Sequence, residues 1–120
     1  MGRILCIDPG TKRIGVAISD PSQMVAFAKP VVENTPEGLA AITQDYADAE
    51  LVLMGKPLVE GKHSQSENLA NFFRGIGFRV EYVNEDFSTV KAEENMKEAG
   101  HDSGVDSYAA QVVLAEYLAQ

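Results

Sequence analysis

Apolar and polar positions divide this chain into short runs with two different periods. Residues 3–8 hold the unbroken apolar run Ile4-Leu5-Cys6-Ile7 and end on Asp8. A run with no polar face reads as a strand covered on both sides. In residues 13–19, Ile14, Val16 and Ile18 alternate with Gly15, Ala17 and Ser19, the period of a second strand. The connection between them is short and contains Pro9 and Gly10, which predicts a hairpin. Asp20-Pro21-Ser22 is a turn signal. A third strand is expected over 25–32, ending near Pro30 and Asn34.

The period then changes. Thr35 suits an N-cap and Pro36 the first helical position, and Leu39, Ile42 and Tyr46 keep helical spacing. Residues 51–55 form a short apolar strand of the kind found inside parallel sheets. A polar loop over Pro57–Ser66 leads to a helix with Leu69, Phe72 and Phe73 on its inner face and Gly77 as its C-cap. A fifth strand is expected over 78–83, a helix over 89–98 capped by Ser88 and closed by Gly100, and a last helix from Val105 to Leu118. Three strands followed by alternating helices and strands predict an α/β fold, a five-stranded mixed sheet flanked by helices with the first strand central.

Length fits one domain, residues 1–120. No apolar run reaches the ~20 residues that span a bilayer, and no secretory signal pattern opens the chain. The single cysteine, Cys6, lies inside the first strand and reads as a small core residue, which fits a reducing cytoplasm. The net charge of −8 argues against a broad nucleic-acid surface but not a local one. Lys12, Arg13, Lys56 and Lys62 fall in turns or at strand ends, while Glu33 to Glu50 and Glu93 to Glu98 carry much of the acid.

Three carboxylates stand at element junctions. Asp8 ends the first strand, Glu85 follows the fifth, and Asp106 opens the last helix. Sites in open sheets form outside the carboxyl ends of parallel strands. Three acids in one crevice repel each other unless a hard cation neutralises them, and Mg²⁺ favours carboxylate oxygens alongside substrate phosphates. Such ions activate water for displacement at phosphorus, so the pattern points to metal-dependent phosphodiester hydrolysis. Each acid also has a plainer reading. Asp8 before Pro-Gly suits a turn, Glu85 a solvated loop, and Asp106 a capping box with Ser103. His63 and His101 have no ligand-spaced partners.

Asp8-Pro9-Gly10-Thr11-Lys12-Arg13-Ile14-Gly15-Val16-Ala17, Ser19-Asp20-Pro21, Gly55-Lys56-Pro57-Leu58, the run Asn84 to Glu93 and Val105-Asp106-Ser107-Tyr108-Ala109-Ala110 resemble the successive motifs of the YqgF family. Its members are bacterial RNase H-like proteins, described as Holliday-junction resolvases and as the nuclease that matures the 5′ end of 16S ribosomal RNA. The resemblance implies an RNase H-like fold and a nuclease in which Asp8, Glu85 and Asp106 are the catalytic, metal-holding acids, with Mg²⁺ or Mn²⁺ as cofactor. It further implies that Lys12, Arg13, Lys56 and Lys62 contact a nucleic-acid substrate, structured RNA being favoured over DNA. A ribosomal or transcription-related protein partner, a monomer or homodimer, and a cytoplasmic location without membrane contact fit the same reading.

Two departures stand out. Asp86 occupies the place of a family arginine, and residues 99–105 lack the lysines and arginines usual before the last acid. They leave room for a non-catalytic nucleic-acid or ribosome-assembly binding module. A third reading, a nucleotide-binding ATPase or kinase, rests on the Asp8-x-Gly10-Thr11 turn. It conflicts with the length, because proteins of that kind close two such domains around a nucleotide.

Overall fold

A computed structural model describes residues 2–10, 12–56, 64–84 and 105–119. Its strands are β1 (Ile4–Asp8), β2 (Arg13–Ser19), β3 (Ala26–Glu33), β4 (Leu51–Lys56) and β5 (Val80–Asn84). Its helices are α1 (Pro36–Asp45), α2 (Ser64–Gly75) and α3 (Val105–Leu118). The expected helix over 89–98 lies outside the described residues. The strands form one sheet in the order β3-β2-β1-β4-β5. β1 is central, as its unbroken apolar run predicts. It pairs antiparallel with β2 and parallel with β4, and β4 pairs parallel with β5. The carboxyl ends of β1, β4 and β5 therefore share one edge of the sheet, which also carries the β1–β2 hairpin.

Strand alternation sorts the core into two layers. Leu5, Ile7, Val52 and Met54 face α1 and α2 and pack with Ile42, Leu69 and Phe73. Ile4, Cys6, Ala17 and Leu53 face α3 and pack with Ala110, Val113 and Leu114. Cys6 is buried, the core role read from its apolar neighbours. Among the described residues no helix is long and apolar enough to cross a membrane.

β3 matches the strand expected over 25–32, shifted by one residue at each end, and runs through Pro30 to Glu33. It is an edge strand, so the missing Pro30 N–H leaves no inner ladder bond unmade. Its register against β2 slips between Ile14 and Val16, which sets Pro30 and Val31 against Gly15 as a bulge.

The helix ends show their chemistry locally. The Thr35 hydroxyl accepts from the Gly38 N–H at 3.1 Å, the predicted N-cap. α2 begins at Ser64, two residues before the end of the expected loop. It closes at Gly77, whose φ of 107° is readily adopted only by glycine. The Phe78 N–H bonds the Phe73 carbonyl and the Gly77 N–H bonds the Arg74 carbonyl, and the Phe73 and Phe78 rings meet edge to face. This is a Schellman stop with its hydrophobic clasp. It consumes Phe78, so β5 starts at Val80 rather than at 78.

Gly38 marks a close approach. A Cβ there would lie 2.0 Å from the Glu33 carbonyl oxygen and 2.8 Å from Val32 Cγ1. Glycine to alanine inside a helix ordinarily stabilises by up to ~1 kcal/mol. Here Gly38→Ala is expected to destabilise by about 1–3 kcal/mol, because α1 must move off the end of β3. Thermal unfolding of the variant decides the sign; a raised midpoint would show that the helix shifts without cost.

Candidate active site

Asp8 sits at the carboxyl end of the central strand, half-buried at the sheet edge. Ile4 and Cys6 face α3, so alternation turns Asp8 to the same side. Its backbone is paired with Gly15 on β2. One step beyond the pair Ile7–Met54, its level on β4 is Gly55. Glycines therefore flank Asp8 on both sides, and neither presents a side chain next to the carboxylate. The bulge of β3 lies beyond Gly15 on the same line.

Lys12 and Arg13 are exposed in the hairpin that follows Asp8. Asn34, a residue absent from the sequence-based candidates, fixes that hairpin. Its side-chain amide donates to the Gly10 carbonyl at 2.9 Å and its backbone N–H to the Lys12 carbonyl at 2.9 Å. The signal was present as a turn-forming Asn-Thr-Pro triplet after β3, but its partners lie more than twenty residues away. Ser66, on the first turn of α2, is a second such residue. The sequence pattern places it at the end of a loop, yet it is buried and its hydroxyl donates to the Gly55 carbonyl at 2.8 Å.

The edge thus brings together Asp8, Lys12, Arg13 and the backbone of Lys56, the last residue of β4. Gly55 lies level with Val83 and Lys56 with Asn84, so Glu85 comes directly after the strand end that shares this edge. Glu85, Asp86, Lys62 and the 99–104 stretch are themselves outside the described residues, as is the side chain of Lys56. Asp106 lies in the first turn of α3, one turn before the buried Ala110; its side chain is also outside the description. Among the described residues no three metal-ligating side chains cluster. The far edge of the sheet is of another character. A cleft of about 310 Å³ there is lined by Ile4, Gln23, Tyr117 and Leu118. Near it Arg3 pairs with Asp48 and holds that carboxyl below its usual range, and Gln23 bonds Glu50.

Comparison with known proteins places this architecture. A family model described as RuvX, Holliday junction resolvase, matches residues 2–120. The chain belongs to the RuvX family. That bears out the resemblance of its motifs and makes it a member of an enzyme family of nucleases and resolvases. A relative from Maridesulfovibrio salexigens, named "Putative pre-16S rRNA nuclease", is 34% identical, with 98% of each chain covered. A Bacteroides fragilis protein of the same name is 36% identical over 98% of this chain and 96% of its own. Among solved structures, Thermus thermophilus RuvC, described as "T. thermophilus RuvC in complex with Holliday junction substrate", has a TM-score of 0.55. It shares 14% identity and covers 98% of this chain and 94% of its own. At that identity it shows the fold alone, the RNase H-like fold that the motifs implied for this RuvX-family chain.

Proposed function

We propose that this chain is a divalent-metal-dependent endonuclease that cleaves structured nucleic acid, with 5′-end maturation of pre-16S rRNA as its main reaction. The observation that carries the proposal is the placement of Asp8. A half-buried carboxylate ends the central strand between two glycines, on the edge that also holds the basic hairpin. The names of the 30–36% identical relatives support the RNA substrate. The family description favours four-way junction DNA as a second substrate.

In this reading Asp8, Glu85 and Asp106 hold Mg²⁺ or Mn²⁺. Two observations support the trio. Glu85 is an odd-numbered position after Val83, which faces α3, so a strand continued by two residues would return it to the Asp8 side. β1 and β5 are two strand spacings apart, roughly 10 Å. For Asp106, Tyr117 sits beside Ile4 at the far end of β1. Position 106 is about 16 Å back along the helix, against about 13 Å from Ile4 to Asp8. A helix laid back along β1 would carry it to the Asp8 end.

The fit to a hard cation is one of donor chemistry, three carboxylates and no sulfur. When bound, the ion lowers the pKa of attacking water and offsets charge on the phosphate. Asp8 would hold the ion from the carboxyl end of the central strand. Lys12 and Arg13, in the hairpin held by Asn34, would contact phosphates, and Lys56 and Lys62 are assigned the same role. The test is cleavage of RNA hairpins, a pre-16S 5′ segment, four-way junction DNA and single strands, each with Mg²⁺, Mn²⁺ or chelator. Metal-dependent cutting of the rRNA segment in preference to the junction supports the proposal. Binding without cutting in any metal contradicts it and favours the non-catalytic module.

The substituted arginine position gives a prediction of its own. Each neutralised phosphate adds about one unit to the salt dependence of binding. With Asp86 in place of arginine, the wild-type slope is expected to be shallow. Asp86→Arg is expected to tighten RNA binding and to steepen the slope, since guanidinium grips phosphate through two bonds. Titrations at several salt concentrations check this; equal slopes would show that position 86 does not face the substrate.

A further inference from the structure

The ladder between β1 and β4 stops at the candidate site, and the reason is visible in two residues. Along β1, the Ile4 N–H turns toward β2, where it donates to the Ser19 hydroxyl. Alternation then turns the backbone groups of Leu5, Ile7 and residue 9 toward β4. Along β4, the Val52 N–H donates to the Arg79 carbonyl next to β5. Leu51, Leu53 and Gly55 therefore turn theirs toward β1. In this parallel register the Gly55 carbonyl faces the N–H of residue 9. Residue 9 is proline and has no N–H.

A buried carbonyl without a donor is costly. Ser66, itself 1% exposed, supplies the missing bond from α2 at 2.8 Å. β1 and β4 stay paired only as far as Ile7–Met54, while β4 and β5 remain paired to Lys56–Asn84. The two strands are uncoupled at the level of Asp8. Ser66 does this from the α2 side of the sheet, whereas Asp8 faces the α3 side.

We propose that Ser66 is a positioning residue of the active site. With Pro9 it ends the β1–β4 ladder at Asp8 and sets the end of β4, Gly55 and Lys56, beside the metal-holding carboxylate. The proposal rests on the reading of Asp8 as a metal ligand. Ser66→Ala leaves the Gly55 carbonyl without its donor and lets the end of β4 shift. Pro9→Ala offers a backbone N–H to the same carbonyl and extends the ladder across the site. Each is expected to weaken metal binding about tenfold, the lower end of what outer partners of a ligand are worth. They differ in stability, which falls for Ser66→Ala and holds or rises for Pro9→Ala. The double variant is expected to regain thermal stability, because the new amide meets the orphaned carbonyl, without regaining metal affinity.

The experiment measures Mn²⁺ affinity of the purified full chain by the electron paramagnetic resonance signal of free Mn²⁺, beside thermal unfolding without metal. Wild type, both single variants, the double variant, Ser66→Thr and Asp8→Asn are compared. Ser66→Thr keeps the hydroxyl and should bind within about twofold of wild type. Pro9→Ala with wild-type affinity would overturn the proposal even if Ser66→Ala fails to fold. So would a double variant that regains affinity together with stability. If Asp8→Asn itself binds Mn²⁺ as wild type does, the reading of Asp8 as a ligand fails instead.

Discussion

Asp8→Asn is expected to lower metal-dependent cleavage by about 100-fold or more while leaving the fold in place. Losing even an outer partner of a metal ligand costs 10–100-fold, and Asp8 is proposed as a direct ligand. The amide is nearly isosteric, so the strand end and its pairing with Gly15 are preserved. Without metal, stability should hold or rise, since the proposed trio of carboxylates would lose one of its mutually repelling charges. With Mg²⁺ added, wild type should gain more in thermal midpoint than the variant, because only a ligand bound to the folded state stabilises it. Cleavage assays and melting curves with and without Mg²⁺ separate these effects. Unchanged metal-dependent cleavage by the purified variant would remove Asp8 from the site.

The second large effect concerns the layer beneath the site. Phe73 is fully buried in the core between the sheet and α2. Its ring meets Phe72 at 5.3 Å and Phe78 at 5.8 Å, both edge to face. Its carbonyl accepts the bond that closes the helix. Phe73→Ala is expected to cost about 3–5 kcal/mol, through lost transfer energy and a cavity that a helix pinned at both ends cannot collapse into. Against a total of roughly 5–15 kcal/mol this is a large share. The thermal midpoint should fall by roughly 10–20 °C. α2 also carries Ser66, so Mn²⁺ affinity at a temperature where the variant is folded should weaken as well. A loss below about 1 kcal/mol in denaturant titration would show that this part of the core repacks freely.

Particular residues show why some of this was legible in the sequence and some was not. Ile4-Leu5-Cys6-Ile7 has no polar position, and only a central strand covers both faces of such a run; β1 is central. Thr35-Pro36 and Gly77 act within one turn of themselves, and both ends are where their local chemistry puts them. Pro30 sits inside the expected third strand without breaking it, because proline is excluded only from inner strands and distant pairing puts this strand at the edge. Gly38 looks like a poor helix residue until the end of β3 lies against it. Asn34 and Ser66 look like ordinary turn and loop residues, because their partners are carbonyls that only the assembled sheet brings near. The three acids belong to the same class. Their positions after strands or in a first helical turn are local facts, whereas the convergence proposed for them depends on how the whole chain folds.

Amide-resolved NMR during a Mn²⁺ titration tests the central claim most directly, because bound Mn²⁺ broadens the signals nearest to it first. Broadening is expected to start at Asp8, Gly15, Gly55 and Val83 and to reach the first turns of α3 before its last. Ile4, Glu50 and Tyr117 at the far edge should lose intensity last, and Asp8→Asn should remove the early set. Broadening that starts around Glu50 and Glu81, or that is unchanged by Asp8→Asn, would place the metal elsewhere and rule out Asp8 as its ligand.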